Sequence, residues 1–155
     1  MRTMLLIPKL KIINANALSS PYTIGFPAMT AWLGGTHALE RQLKETDHKI
    51  VHFRSIAVIC HDIELQVYKG STDFNYSIIG TRNPLIKNKN RKKGEPEHAF
   101  VGAPFIEEPR CHLTVSLAIE VLNLAPVNYN KFTEIIDTLL MKMKLASGDI
   151  TDKVA

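Results

Sequence analysis

The stretch LLIPKLKIINANALSSPYTIGFPAMTAWLGGTHALERQL, residues 5–43, holds a strand, a loop and a helix in that order. Residues 5–13 are apolar apart from Pro8, Lys9 and Lys11. With a side-chain period of two, Leu6, Leu10 and Ile12 share one face and the lysines share the other, which predicts a half-exposed strand with a basic outer face. Pro8 has no N–H for a ladder, so it argues for an edge, a bulge or a strand start. Residues 14–27 are dense in Asn, Ser, Pro and Gly and predict an ordered loop. Pro27 fits the first turn of a helix, and Met29, Trp32, Leu33, Thr36, Leu39 and Leu43 follow at helical spacing toward Glu45. Gly34 and Gly35 inside that helix would each cost about 1 kcal/mol relative to Ala, so something should approach the backbone closely there.

Working outward, residues 51–68 join an apolar stretch to an alternation of Ile63, Leu65 and Val67 with Asp62, Glu64 and Gln66, which predicts one long or bent strand. Leu113, Val115, Leu117, Ile119 and Val121 repeat the period of two on another strand. Between them lies a polar excursion over about 70–110, long enough to be functional or an inserted subdomain. Phe132, Ile135, Ile136, Leu139, Leu140 and Met143 predict a second amphipathic helix, with Asn130 as its N-cap and Gly148 just past its end. The order strand, helix, strand, strand, helix gives an α+β class: a ferredoxin-like or RRM-like βαββα(β) core, one domain over 1–155 with a long basic insertion. The short tail after the second helix reads as a poor strand. The fourth strand is therefore expected to be missing or supplied elsewhere, and the chain to be the N-terminal part of a longer protein.

The 155 residues are 45% hydrophobic, enough for a buried core, and no apolar run is long enough to span a bilayer. Nothing resembles a secretory leader, so a cytoplasmic location is the default. Cys60 and Cys111 both lie in apolar or alternating segments, where a buried reduced thiol is expected. The net charge of +4 is modest, but Lys87, Lys89, Arg91, Lys92 and Lys93 crowd one polar stretch. Such a run is either a solvated loop or a set of phosphate contacts.

The combination of the Pro8-Lys9 strand, Asn14-Ala15-Asn16-Ala17-x-Ser19-Ser20-Pro21, Gly25-Phe26-Pro27 and His37-Ala38-Leu39-x-Arg41 resembles the N-terminus of the Cas5-like subunit of type I-F, or Csy, CRISPR surveillance complexes. The resemblance implies an RRM-like core that pairs with the large subunit and lies beside the backbone subunits. It also implies that the five-prime handle of the CRISPR RNA is held without cleavage. Target DNA is a further candidate partner, and no cofactor, metal or membrane is implied.

Residue chemistry is compatible with that role. Lys9 and Lys11 supply cationic heads, Asn14, Asn16, Ser19 and Ser20 can hydrogen-bond phosphates, sugars or base edges, and Tyr22, Phe26 and Trp32 have flat faces for stacking. His37 and Arg41 complete the candidate set. Each has a bland alternative: loop capping for the Asn and Ser residues, core packing for Phe26 and Trp32, a solvated helix face for Arg41. Two other functions stay open: metal-independent CRISPR RNA cleavage using His37, Tyr22 and Lys11, and a structural adaptor that makes no RNA contact. Cys60-His61-Asp62 and Cys111-His112 are weak metal signals, because adjacent strand residues point to opposite faces.

Overall fold

The computed structural model describes residues 2–46, 50–81, 86–87, 100–101, 108–125 and 129–153. In chain order its elements are β1 (Arg2–Asn16), β2 (Leu18–Ser20), β3 (Thr23–Ile24), α1 (Met29–Leu43), β4 (His52–Leu65), β5 (Val67–Tyr68), β6 (Ser77–Ile78), β7 (Gly80–Thr81), β8 (Ile86–Lys87), β9 (Phe100–Val101), β10 (Glu108–Leu122), α2 (Tyr129–Leu140), β11 (Lys144–Leu145) and β12 (Gly148–Lys153). The chain is thus mixed α/β and rich in strand. Its main sheet runs β11-β12-β1-β10-β4, with β7 pairing beside β10.

β10 is the spine of that sheet. Cys111, Leu113, Val115, Leu117, Ile119 and Val121 point to one face and are buried, as a period of two requires when one face is covered. Trp32, Leu39 and Leu43 of α1 and Phe132, Ile136 and Leu140 of α2 complete the same core cluster, so both helices lie on that face. The opposite face carries no helix among the described residues.

β1 pairs antiparallel with β10 but changes register twice, between Ile7 and Leu10 and between Ile12 and Ala15. The extra residues fall at Lys9 (φ 43°) and Asn14 (φ 56°). Each bulge inserts one residue and so reverses which parity faces inward. Leu5 and Ile7, then Leu10 and Ile12, then Ala15 are buried in turn. The uninterrupted period put Leu6 inside with Leu10; Leu6 is instead exposed on the bare face beside Met4. Pro8, having no N–H to pair, sits beside the first bulge, and Asn, which tolerates the left-handed region, makes the second.

The fourth strand belongs to the chain itself, which corrects the expectation that it is missing. β12 lies antiparallel against β1, with Asp149 opposite Ile13 and Lys153 opposite Leu10. It is reached by a two-residue turn in which Ala146 (φ 49°) and Ser147 (φ 66°) are both left-handed, the geometry that suits the twist of a tight hairpin. Gly148 is therefore no helix cap. A Cβ there would come within 2.7 Å of the Ile13 carbonyl oxygen and 2.9 Å of the Ala15 nitrogen, so the glycine is what lets β12 seat against β1.

At Gly35 the close neighbour is a side-chain tip instead of backbone: a Cβ would meet Leu145 Cδ2 at 2.5 Å. Gly34 faces open space. α1 runs close to its expected span, while Asn130 lies within α2 and does not cap it. The expected strand over 51–68 breaks at Gln66, whose N–H donates to the Arg110 carbonyl. β4 is an edge strand among the described residues, so its Cys60 is exposed while Cys111 on β10 is buried. Burial pushes the Cys111 thiol up to about 11, with Cys60 adding to the rise and Arg110 opposing it.

Glu40 pins α1 to the start of β4. It receives Lys44 Nζ at 3.1 Å, His52 Nδ1 at 3.0 Å and the Phe53 N–H at 3.3 Å. Burial alone would raise this carboxyl, but the Lys44, Phe53 and His52 contacts together outweigh it and hold it below its ordinary 4.5.

Candidate nucleic-acid interface

The helix-free face of the sheet carries Lys9 and Lys11, both exposed. At the first bulge the Lys9 N–H donates to Ser116 Oγ at 2.9 Å, and His61 Nε2 lies 2.7 Å from the same oxygen. Since Oγ accepts from Lys9, its own hydrogen is available to His61. Ser116 thus ties the bulge in β1 to the register shift in β4, which falls between Cys60 and Asp62. Lys11 borders a hollow of about 170 Å³ that it shares with Asp62, Glu64 and His112. The two carboxylates offset its charge, so this part of the face is not simply basic.

The polar residues of 14–20 serve the chain's own architecture. The Asn14 N–H donates to His112 Nδ1 at 3.2 Å, its Oδ1 accepts from Gln66 Nε2 at 2.9 Å, and its carbonyl accepts from Arg110 Nη1 at 3.2 Å. Asn16 Oδ1 accepts the Leu18 N–H at 2.8 Å. Ser19 Oγ donates to the Thr23 carbonyl, and Ser20 Oγ bonds Thr23 Oγ1 at 3.0 Å. The expected irregular loop is therefore the end of β1 followed by the short β2–β3 hairpin, whose tip holds Tyr22 at 97% exposure.

The aromatic and helical candidates separate. Trp32 is fully buried and Phe26 stacks on it, with centroids 5.5 Å apart and planes at 21°. As a core residue Trp32 has no face to give a base, which corrects that assignment. Its Nε1 has no hydrogen-bond partner among the described residues. His37 and Arg41 are exposed on α1. That helix covers the face of the sheet opposite the one bearing Lys11, so His37 and Lys11 are not brought together. Of the basic run, Lys87 has its backbone in β8, paired with Phe100; Lys89, Arg91, Lys92 and Lys93 lie outside the described residues.

Sequence reasoning passed over the segment between β5 and β6. Its hairpin pairs Val67 with Ile78 and Tyr68 with Ser77, and it exposes Phe74 at 96%, Tyr76 at 67% and Tyr68 at 63%. The signal was present as aromatics interleaved with polar residues inside an excursion read for its basic run alone. The segment roots where β1, β4 and β10 meet: the Ile79 N–H donates to the Gln66 carbonyl and the Ala17 N–H to the Pro109 carbonyl. The basic insertion leaves the sheet at the same place, because Thr81 pairs with Glu108 and Gly80 with Pro109. One end of the sheet thus gathers Tyr22, the aromatic hairpin, Arg110 and both roots of the insertion. Among the described residues no group of three or more His, Cys, Asp or Glu side chains is placed to hold a metal ion, and no helix is long and apolar enough to cross a membrane.

This strand-rich domain falls among the CRISPR-associated proteins, since a family model described as CRISPR-associated protein (Cas_Csy2) matches residues 5–155. CRISPR-associated protein Csy2 of Pseudomonas aeruginosa (strain UCBPP-PA14) is 35% identical over 118 residues, a match taking in 76% of this chain and 32% of that protein. The chain belongs to the Csy2 family. It spans about a third of the length of the curated relative it matches. The resemblance seen in residues 5–43 holds at the level of the Csy proteins, and its narrower form, the Cas5-like subunit, gives way to Csy2, the name both matches carry.

Proposed function

We propose that the chain is a non-catalytic RNA-binding subunit of a type I-F CRISPR effector complex, acting in the cytoplasm in antiviral defence. It holds the five-prime handle of the CRISPR RNA and pairs with the large subunit and the backbone subunits for recognition of target DNA. The core follows a ferredoxin-like, RRM-like plan. Support for that plan comes from the spatial order β12-β1-β10-β4, with α1 after the first of these strands in sequence and α2 before the last.

The observation that carries the reading is the shared root of the basic insertion and the exposed hairpins at one end of the sheet. Phosphate attraction needs cations, and unpaired bases need flat faces; that end offers Lys69 together with the exposed rings of Tyr22, Tyr68 and Phe74. Binding without cleavage is supported by the separation of His37 and Lys11, which leaves the proposed acid and base on opposite sides of the sheet.

The test is titration with handle-containing RNA in metal-free buffer over a range of salt. Changing Lys87, Lys89, Arg91, Lys92 and Lys93 to Gln should shallow the salt slope by roughly 0.7 for each phosphate of a single strand that is no longer neutralised. Binding that ignores salt would remove the phosphate role, and specific cleavage abolished by His37→Ala would replace a binder with an endoribonuclease.

A further inference from the structure

We propose that the outward face of α1 receives a helix of another subunit of the complex, one that lays an apolar side chain over Gly34 and sets a carboxylate against Arg41. This rests on the reading of the chain as a subunit of a multi-protein complex and names a surface by which it would be held there.

The helical period puts Thr30, Gly34, His37 and Arg41 in one line, turned away from the core residues Trp32, Leu39 and Leu43. All four are exposed. Gly34 is the odd member. A glycine inside a helix lowers its stability, and a Cβ there would meet nothing within 4 Å, so the packing of this chain does not call for it. What it provides is a flat place where a neighbour can come close to the helix backbone. On the flank of that place Met29 and Leu33 are 51% and 52% exposed, and neither joins the core cluster.

The face is also positive from end to end. At the start of α1 the N-cap Ala28 has no side chain to bond the free N–H groups, and no acid lies in the first turn, so the positive end of the helix is left uncompensated. Toward the other end His37 and Arg41 carry no hydrogen bond or ion pair among the described residues. The one acid of the helix, Glu40, is turned inward and engaged by Lys44, His52 and the Phe53 N–H. A partner that fits such a face brings carboxylates.

A phosphate backbone would also meet the cations. Met29 and Leu33 decide for protein, because aliphatic side chains have no flat ring for a base to stack on and gain only by leaving water. Two half-exposed aliphatics beside a glycine form the shallow apolar seat into which a side chain of a crossing helix packs.

The test uses the full chain with the purified large subunit, the purified backbone subunit and handle-containing RNA as three separate probes. Gly34→Ala should raise the unfolding temperature, since alanine favours helix and meets no neighbour. Gly34→Gln, which projects further, should leave the fold intact and weaken binding of one of the two subunits roughly tenfold or more. Met29→Ala combined with Leu33→Ala, and Arg41→Glu alone, should weaken the same subunit by a similar factor, while Arg41→Lys retains most of the binding. RNA binding should be unchanged by all of them. The proposal is overturned if the variants bind both subunits like the wild type, if the loss falls on RNA as much as on a subunit, or if the face instead joins two copies of this chain, seen as a dimer that Gly34→Gln dissolves. A wild-type chain that binds neither subunit sinks the complex-subunit reading itself and this proposal with it; subunit binding that every variant preserves sinks the α1 face alone.

Discussion

β10 and β4 are neighbours of nearly equal length, paired along almost their whole extent, yet they live in different solvents. β10 has a strand on each side and helices over one face, and its six inward residues from Cys111 to Val121 are all buried. β4 has β10 on one side and no strand on the other among the described residues; Ile59, Cys60 and Ile63 remain exposed. Both strands are apolar enough to read as core. Apolar content says that a strand seeks cover, and place in the sheet says whether it finds it. The two cysteines show the same contrast chemically, since burial raises the thiol on β10.

The sharpest way to break this comparison is to cut the same kind of side chain from each strand. Leu117→Ala should cost about 3 kcal/mol or more, because it leaves a cavity between the sheet and the helices. Ile63→Ala on β4, which faces the same side as Leu117 because it lies opposite Leu113, should stay below about 1 kcal/mol, as exposed positions do. Urea unfolding of both variants checks this, and equal losses would mean that β4 is as covered as β10.

Next in size is the strand that makes β1 interior. Gly148→Ala forces a methyl against backbone atoms of Ile13 and Ala15, which cannot yield as a side-chain tip can. A loss of about 1–3 kcal/mol is expected. In hydrogen exchange the amides near Ile12 and Ile13 should lose protection while those of β10 facing β4 keep theirs. Uniform loss across the sheet would show that β12 is part of one cooperative unit.

A smaller effect attaches to the tie between α1 and β4. Because the folded Glu40 carboxyl lies below its ordinary value, it contributes stability that is fully present above the unfolded carboxyl range and is lost as pH falls through the lowered folded value. Glu40→Gln should therefore cost about 1–2 kcal/mol at neutral pH and flatten the loss of stability below about pH 4.5. A variant with the wild-type acid profile would exclude Glu40 as the titrating group.

The last test changes no stability at all. A thiol reagent at neutral pH should label Cys60 promptly in the folded chain and reach Cys111 only on unfolding, since one thiol is exposed and the other buried. Prompt labelling of both would contradict the placement of β10 in the centre.

Much of this was legible residue by residue. The alternation from Leu113 to Val121 determined a one-sided strand, the spacing of Trp32, Leu39 and Leu43 determined a helix face, and Gly35 announced a close neighbour that proved to be Leu145. The motifs of residues 5–43 led to the Csy proteins without any structure. These readings succeed because they depend on the local period of a strand or helix, which a sequence states directly. The site was less legible. Asn14, Asn16, Ser19 and Ser20 have the chemistry to meet RNA, and the same donors and acceptors close a bulge and a hairpin; composition cannot tell which partner a polar group takes. Tertiary structure alone decided that Leu6 faces out, because a bulge at Lys9 reverses parity in a strand paired with residues more than a hundred positions away. It also decided that β12 completes the sheet, that β4 lies at its edge among the described residues, and that Phe74 and the insertion share one end. Strand neighbours and register are set by backbone hydrogen bonds and packing between segments distant in the chain, and no local pattern records them.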